Sequence, residues 1–168
     1  MGRYGRILGI EEGKEGRKGI MGNLDSQAGY ELTRHEKEVA SLIVGCAYRV
    51  HRNTGAGLLE SVYEACFCYE LEREGLRLAR QKPVPLVYAH LVFEESFRID
   101  VLVENLIICE LKSVNDFLPV HRAQLTTYLK LTDKNVGFLI NFNTDLMKNG
   151  LRRLVNPSSL PSFPSSIP

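Results

Sequence analysis

Residues 97–128 read FRIDVLVENLIICELKSVNDFLPVHRAQLTTY. Two runs rich in β-branched residues, Phe97–Val103 and Leu106–Lys112, flank Glu104-Asn105, which suits a tight hairpin turn. In the first run Phe97, Ile99, Val101 and Val103 alternate with Arg98, Asp100 and Leu102. That pattern predicts one apolar face, with Asp100 turned away from it. The second run is apolar almost throughout, as in a strand covered on both sides, until Glu110 and Lys112, whose two-residue spacing puts them on one face. After Asn115-Asp116, Pro119 suits the first turn of a helix ending near Leu131. On that helix His121, Gln124 and Tyr128 share one face, and Leu125 and Leu129 supply a buried side.

A hairpin brings Asp100 and Glu110 close enough to share one divalent cation. Two carboxylates at short range resist joint ionisation unless a cation stands between them. The donors are hard oxygens with no Cys/His pair beside them, so Mg²⁺ or Mn²⁺ suits the pair. Lys112 can then orient or deprotonate a water, or steady charge developing on a phosphate.

Outward from this stretch, Thr33-Arg-His-Glu36 forms a capping box for a helix whose apolar stripe is Val39, Leu42, Ile43, Cys46, Ala47 and Val50. Asn53–Gly57 reads as a helix-to-helix turn; it lacks the Lys-Ser/Thr of a phosphate-binding P-loop. A second helix is expected from about Leu58 to Glu74, stopped by Gly75, with Leu59, Val62, Tyr63, Cys66 and Leu71 toward the core. Glu60 falls in its first turn, where an acid is favoured by the helix dipole. Pro83–Tyr88 reads as an edge strand, followed by a separate short strand at Leu91–Phe93. Val136–Asn141 is a continuous apolar run typical of a central strand, and the helix before it implies a right-handed parallel crossover. Leu151–Val155 reads as an edge strand bearing Arg152 and Arg153.

The chain has 168 residues, 44% of them hydrophobic, and a formal net charge of +1. This supports one domain, expected at 31–156, between a glycine- and charge-rich tail (1–30) and a Pro/Ser-rich disordered tail (157–168). Neutrality excludes a global field that draws in nucleic acid, so any such contact needs a local patch. Arg3, Arg6, Lys14, Arg17 and Lys18 offer one as a basic arm, although a solvated tail is the plainer reading of that segment. The four cysteines lie in apolar periodic segments and read as buried thiols. With neither a long apolar span nor a signal-type apolar region, the expected location is the cytoplasm, with no membrane partner.

The arrangement Asp100, nine residues, Glu110-x-Lys112 resembles the active site of the PD-(D/E)XK nuclease superfamily. Gln124-Leu-Thr-Thr-Tyr128 is similar to the QxxxY motif of its RecB-like branch, and Gly57-Leu-Leu-Glu60-Ser-Val-Tyr63 resembles the signature of the GxxExxY family. The likeness runs from about Leu32 to Asn156. It implies an α/β, restriction-endonuclease-like core, a central mixed β-sheet flanked by helices. It further implies metal ligation by Glu60, Asp100 and Glu110, with Glu64 as a fallback, and a site completed by Lys112, Gln124 and Tyr128. The implied activity is Mg²⁺- or Mn²⁺-dependent hydrolysis of nucleic acid, DNA ahead of RNA, by a homodimer or with a partner protein. The alternative is a catalytically silent nucleic-acid- or protein-binding module of the same fold.

Overall fold

A computed structural model gives the fold, and residues 30–159 are those it describes. The basic arm and both outer tails lie outside them, apart from Tyr30, whose hydroxyl donates to the Glu36 carboxylate at 3.1 Å, and Pro157–Ser159, which form a 3₁₀ turn. The elements are α1 (Arg34–Thr54), α2 (Glu60–Arg73), β1 (Leu78–Tyr88), β2 (Leu91–Val103), β3 (Ile107–Lys112), α3 (Pro119–Thr132), β4 (Val136–Asn141) and β5 (Leu151–Val155). Among the described residues five strands form one mixed sheet in the order β1-β2-β3-β4-β5. Only β3 and β4 run parallel, with α3 between them in sequence. The remaining neighbours are antiparallel.

Two apolar clusters lie on opposite faces of the sheet. Helices α1 and α2 cover one face, where Ile43, Ala47, Tyr63, Phe67 and Leu71 meet Val101, Val103, Cys109 and Phe138. Helix α3 covers the other, through Leu125, Tyr128 and Leu129 against Ile99, Leu102, Ile108 and Leu139. Burial on both sides is why β3 and β4 are apolar at nearly every position. Gly137 lets α3 approach closely, since a Cβ there would stand 2.8 Å from Leu125 Cδ1 and 3.2 Å from the Ile108 carbonyl.

Helix α1 begins as expected. The Glu36 amide donates to Thr33 Oγ1 at 3.2 Å, and the Thr33 amide donates to Glu36 Oε2 at 2.8 Å. The hairpin turn also holds, with Glu104 at φ 52° and Asn105 at φ 50°. Such angles favour Asn and disfavour Glu. Arg77 compensates, its amide and guanidinium donating to the Glu104 carboxylate at 2.6–3.0 Å.

Three details depart from the sequence reading. First, β2 is one continuous strand that absorbs the expected short strand at Leu91–Phe93. Second, α2 buries Tyr63, Phe67, Cys68 and Leu71, whereas Leu59 is 74% exposed and Val62 42%. Leu59 is the N-cap, before the helical face begins, and Val62 projects off the side held by Tyr63 and Phe67. Third, the face formed by Phe97, Ile99, Val101 and Val103 is broken. Phe97 and Ile99 pack toward α3, whereas Val101 and Val103 pack toward α1 and α2. The alternation slips by one residue at Asp100. Opposite it in the register of β1, between the pairs Arg80–Val101 and Lys82–Ile99, stands Gln81 at φ 47°. A kink facing an out-of-phase residue re-aims a side chain, as bulges do.

Candidate active site

The slip removes Asp100 from ordinary strand geometry. Pairing of β2 with β3 runs through Val103–Ile107, Leu102–Ile108 and Val101–Cys109, a register that next sets Asp100 opposite Glu110. There the backbone ladder gives way to a side chain, and the Leu111 amide donates to Asp100 Oδ2 at 2.8 Å. Glu110 and Lys112 have the strand phase of Ile108, which faces α3. Lys112 Nζ donates to Glu110 Oε1 at 2.6 Å. The other oxygen, Glu110 Oε2, is buried and has no hydrogen-bond partner.

The electrostatics follow from that crowding. Glu110 is 1% exposed, and burial, followed by repulsion from Asp100, raises its carboxyl to about 7 although Lys112 pulls the other way. Burial likewise raises Asp100, against the opposing effects of the Leu111 amide and Lys112. For Lys112, burial alone would lower the ammonium, but Glu110 and Asp100 outweigh it and the net shift is upward. One ammonium faces two desolvated carboxylates, so the centre carries surplus negative charge. A divalent cation fits this donor set. It would relieve the repulsion and give the orphaned Glu110 oxygen a partner.

Glu60 occupies the first position of α2 and is exposed. Its charge acts on Asp100, Glu110 and Lys112. Local bonding fixes its position. The Tyr63 hydroxyl donates to the Gly55 carbonyl at 2.7 Å and accepts the Leu58 amide at 3.1 Å. Its ring stacks on Phe142 with centroids 4.8 Å apart. Gly57, at φ 96°, takes the left-handed conformation that glycine alone adopts cheaply. Ser113 Oγ, one residue past Lys112, donates to the Leu58 carbonyl at 2.7 Å and ties this loop to the end of β3. Among the described residues, however, no three His, Cys, Asp or Glu side chains gather closely enough to complete a metal cluster. Asp100 and Glu110 are tied to one strand end by the Leu111 amide and Lys112, and Glu60 acts on both by its charge.

Glu64 is otherwise engaged, its carboxylate accepting from Arg80 at 2.9 and 3.0 Å and from Gln81 at 2.6 Å. Gln124 Nε2 donates to the Tyr128 hydroxyl at 2.8 Å. Tyr128 is buried edge-to-face against Phe97, with ring centroids 5.7 Å apart. Burial raises its phenol against the lowering effect of the Gln124 hydrogen bond, and the charges of Glu110 and Asp100 add to the rise. His121 is directed elsewhere, its Nδ1 accepting the Leu118 amide at 3.1 Å at the start of α3.

Sequence reasoning missed Gln81. Its left-handed backbone faces Asp100 and its amide fixes Glu64, and no local signal in Arg80-Gln81-Lys82 announces either. Also unanticipated was Asn141, whose amide accepts the Val114 amide at 3.1 Å and donates to the Val114 carbonyl at 2.7 Å. It fixes the loop that leaves Lys112.

A family model described as the PD-(D/E)XK nuclease superfamily matches residues 37–154. No curated protein and no solved structure matches the chain.

Proposed function

Because the chain belongs to the PD-(D/E)XK nuclease superfamily, we propose that it is a metal-dependent nuclease that hydrolyses phosphodiester bonds of nucleic acid, DNA in the first instance. The observation that carries this reading is the buried, unpartnered Glu110 Oε2 beside a second desolvated carboxylate and a charged lysine. A purely structural ion pair has no need of the second acid, whose presence raises the cost of burying the first.

In this reading Asp100 and Glu110 hold Mg²⁺ or Mn²⁺, with Glu60 contributing charge from the start of α2. Such an ion supplies a water of lowered pKa and offsets charge on the phosphoryl oxygens. Lys112, held at 2.6 Å from Glu110, keeps its ammonium at the centre, where it orients the attacking water and stabilises negative charge at phosphorus. Gln124 and Tyr128 fix the α3 side of the centre through their mutual hydrogen bond. The finer assignment to the GxxExxY family is supported by the loop chemistry. Gly57 permits the turn, Tyr63 pins it and Glu60 is thereby presented. We place the functional domain at residues 31–156. The described residues contain no helix long and apolar enough to cross a membrane. Four free cysteines support a reducing compartment such as the cytoplasm.

Purified protein is incubated with labelled single- and double-stranded DNA and RNA in Mg²⁺ or Mn²⁺, beside Asp100→Ala and Lys112→Ala. Metal-dependent cutting that both substitutions abolish is the expected outcome. No cutting by folded wild type at high enzyme concentration would overturn the proposal and leave a binding module.

A further inference from the structure

A chain of net charge +1 attracts a polyanion only through local cations. Just beyond Lys112 a cavity of about 750 Å³ opens between the Asn115–Leu118 loop, the first turn of α3, and strands β4 and β5. Arg122 of α3 and Arg152 of β5 line it. In register Arg152 is the partner of Leu139, whose side chain packs toward α3, so both arginines belong to the α3 side of the sheet. Arg152 Nη1 donates to the carbonyls of Asn149 at 3.0 Å and Leu151 at 2.8 Å. Its guanidinium carbon lies 5.6 Å from the centre of the Phe117 ring. These neutral partners orient the guanidinium without cancelling its charge. Arg122 is exposed, and among the described residues neither arginine forms an ion pair, even with Asp116, the one carboxylate in the cavity lining.

The cavity adjoins the candidate centre through a rigid connection. Ser113 is bonded to Leu58, Val114 is bonded twice to Asn141, and both Asn115 and Asn141 line the cavity. A strand lying across Lys112 therefore meets the cavity within a few residues of protein. Guanidinium groups present paired donors that match phosphate oxygens.

We infer that this cavity holds phosphate groups of the nucleic-acid strand next to the one cut at Asp100, Glu110 and Lys112, with Arg122 and Arg152 as the phosphate-binding residues. The inference rests on the nuclease reading and names where its substrate is gripped.

The test measures binding of a fluorescently labelled single-stranded oligonucleotide in chelator by wild type, Arg122→Ala, Arg122→Glu and Asp116→Asn, beside cleavage kinetics in Mg²⁺. Among the described residues the Arg122 side chain makes no hydrogen bond or ion pair, and its carbonyl, which accepts from Thr126 Oγ1 at 2.9 Å, is kept in every variant, so the variants keep the wild-type melting temperature. Arg122→Ala should weaken binding about three- to tenfold and lower the slope of log affinity against log salt by about 0.7, the value for one lost single-strand phosphate contact. Arg122→Glu should weaken it further and Asp116→Asn should strengthen it. KM should rise in the arginine variants while kcat holds. Unchanged affinity and slope in both Arg122 variants, with wild type still cutting, would overturn this inference and leave the nuclease reading intact. Arg122-dependent binding without cutting would support the phosphate site and sink the nuclease. A mononucleotide that competes as well as the oligonucleotide would overturn the strand assignment, and failure of wild type either to bind or to cut would overturn both.

Discussion

Glu110 titrates near pH 7 in the folded protein against an ordinary value of 4.5, because it is buried beside Asp100. Between those pH values the native state binds more protons than the unfolded chain, so its stability falls as pH rises and levels off above the folded midpoint. A displacement from 4.5 to about 7 corresponds to about 3 kcal/mol, and Asp100, raised for the same reason, adds in the same direction. Glu110→Gln removes this titration and leaves an oxygen for Lys112 Nζ. Urea unfolding of wild type and variant, followed by circular dichroism in chelator from pH 5 to pH 8, isolates the effect. Wild type should lose about 2.5 kcal/mol more than the variant across that interval, so that the variant gains on wild type steadily toward pH 8. Mg²⁺ or Mn²⁺ should restore wild type most at pH 8 and the variant hardly at all. Stability–pH curves that stay parallel to within about 0.5 kcal/mol from pH 5 to pH 8 would show that Glu110 is not raised by burial beside Asp100.

Asp100→Asn keeps an acceptor for the Leu111 amide, so unfolding should change by less than about 1 kcal/mol while metal-dependent cleavage falls at least about 100-fold in single-turnover assays. Gly137→Ala forces a Cβ against Leu125 and the Ile108 carbonyl and should cost about 1–3 kcal/mol, read from the urea midpoint. Tyr63→Phe retains the stack on Phe142 but loses the hydroxyl that joins Gly55 to Leu58. It should cost about 1–2 kcal/mol and lower cleavage by displacing Glu60, whereas unchanged cleavage would separate Glu60 from the centre.

The architecture was legible wherever one local rule sufficed. Thr33 and Glu36 announced the capping box, Glu104-Asn105 the hairpin, and the apolar run Val136–Asn141 the parallel central strand. The spacing of Glu110 and Lys112 placed them on one face, and the spacing of Gln124 and Tyr128 placed those within hydrogen-bond reach. The slip at Asp100 was not legible. Ile99, Val101 and Val103 are equally apolar whichever buried face they meet, so hydropathy cannot register a change of face in a sheet covered on both sides. Across the ladder from the slip stands Gln81, a residue whose type gives no hint of a left-handed backbone. The arginine cavity was hidden for a related reason. Arg122 and Arg152 come from a helix and an edge strand far apart in sequence, and each alone reads as a solvated surface charge. Helix α2 misled because Leu59 and Val62 are as apolar as Phe67, and only the Tyr63 contacts decide which side turns inward.

The proposed function stands on a cation site formed by Asp100 and Glu110. Calorimetric titration of Mn²⁺ into the full chain at pH 7, repeated in buffers of differing ionisation enthalpy, tests it most directly. Binding should release about half a proton from Glu110 and disappear in Asp100→Asn. A silent titration, or binding with no proton release and no response to Asp100→Asn, would contradict it.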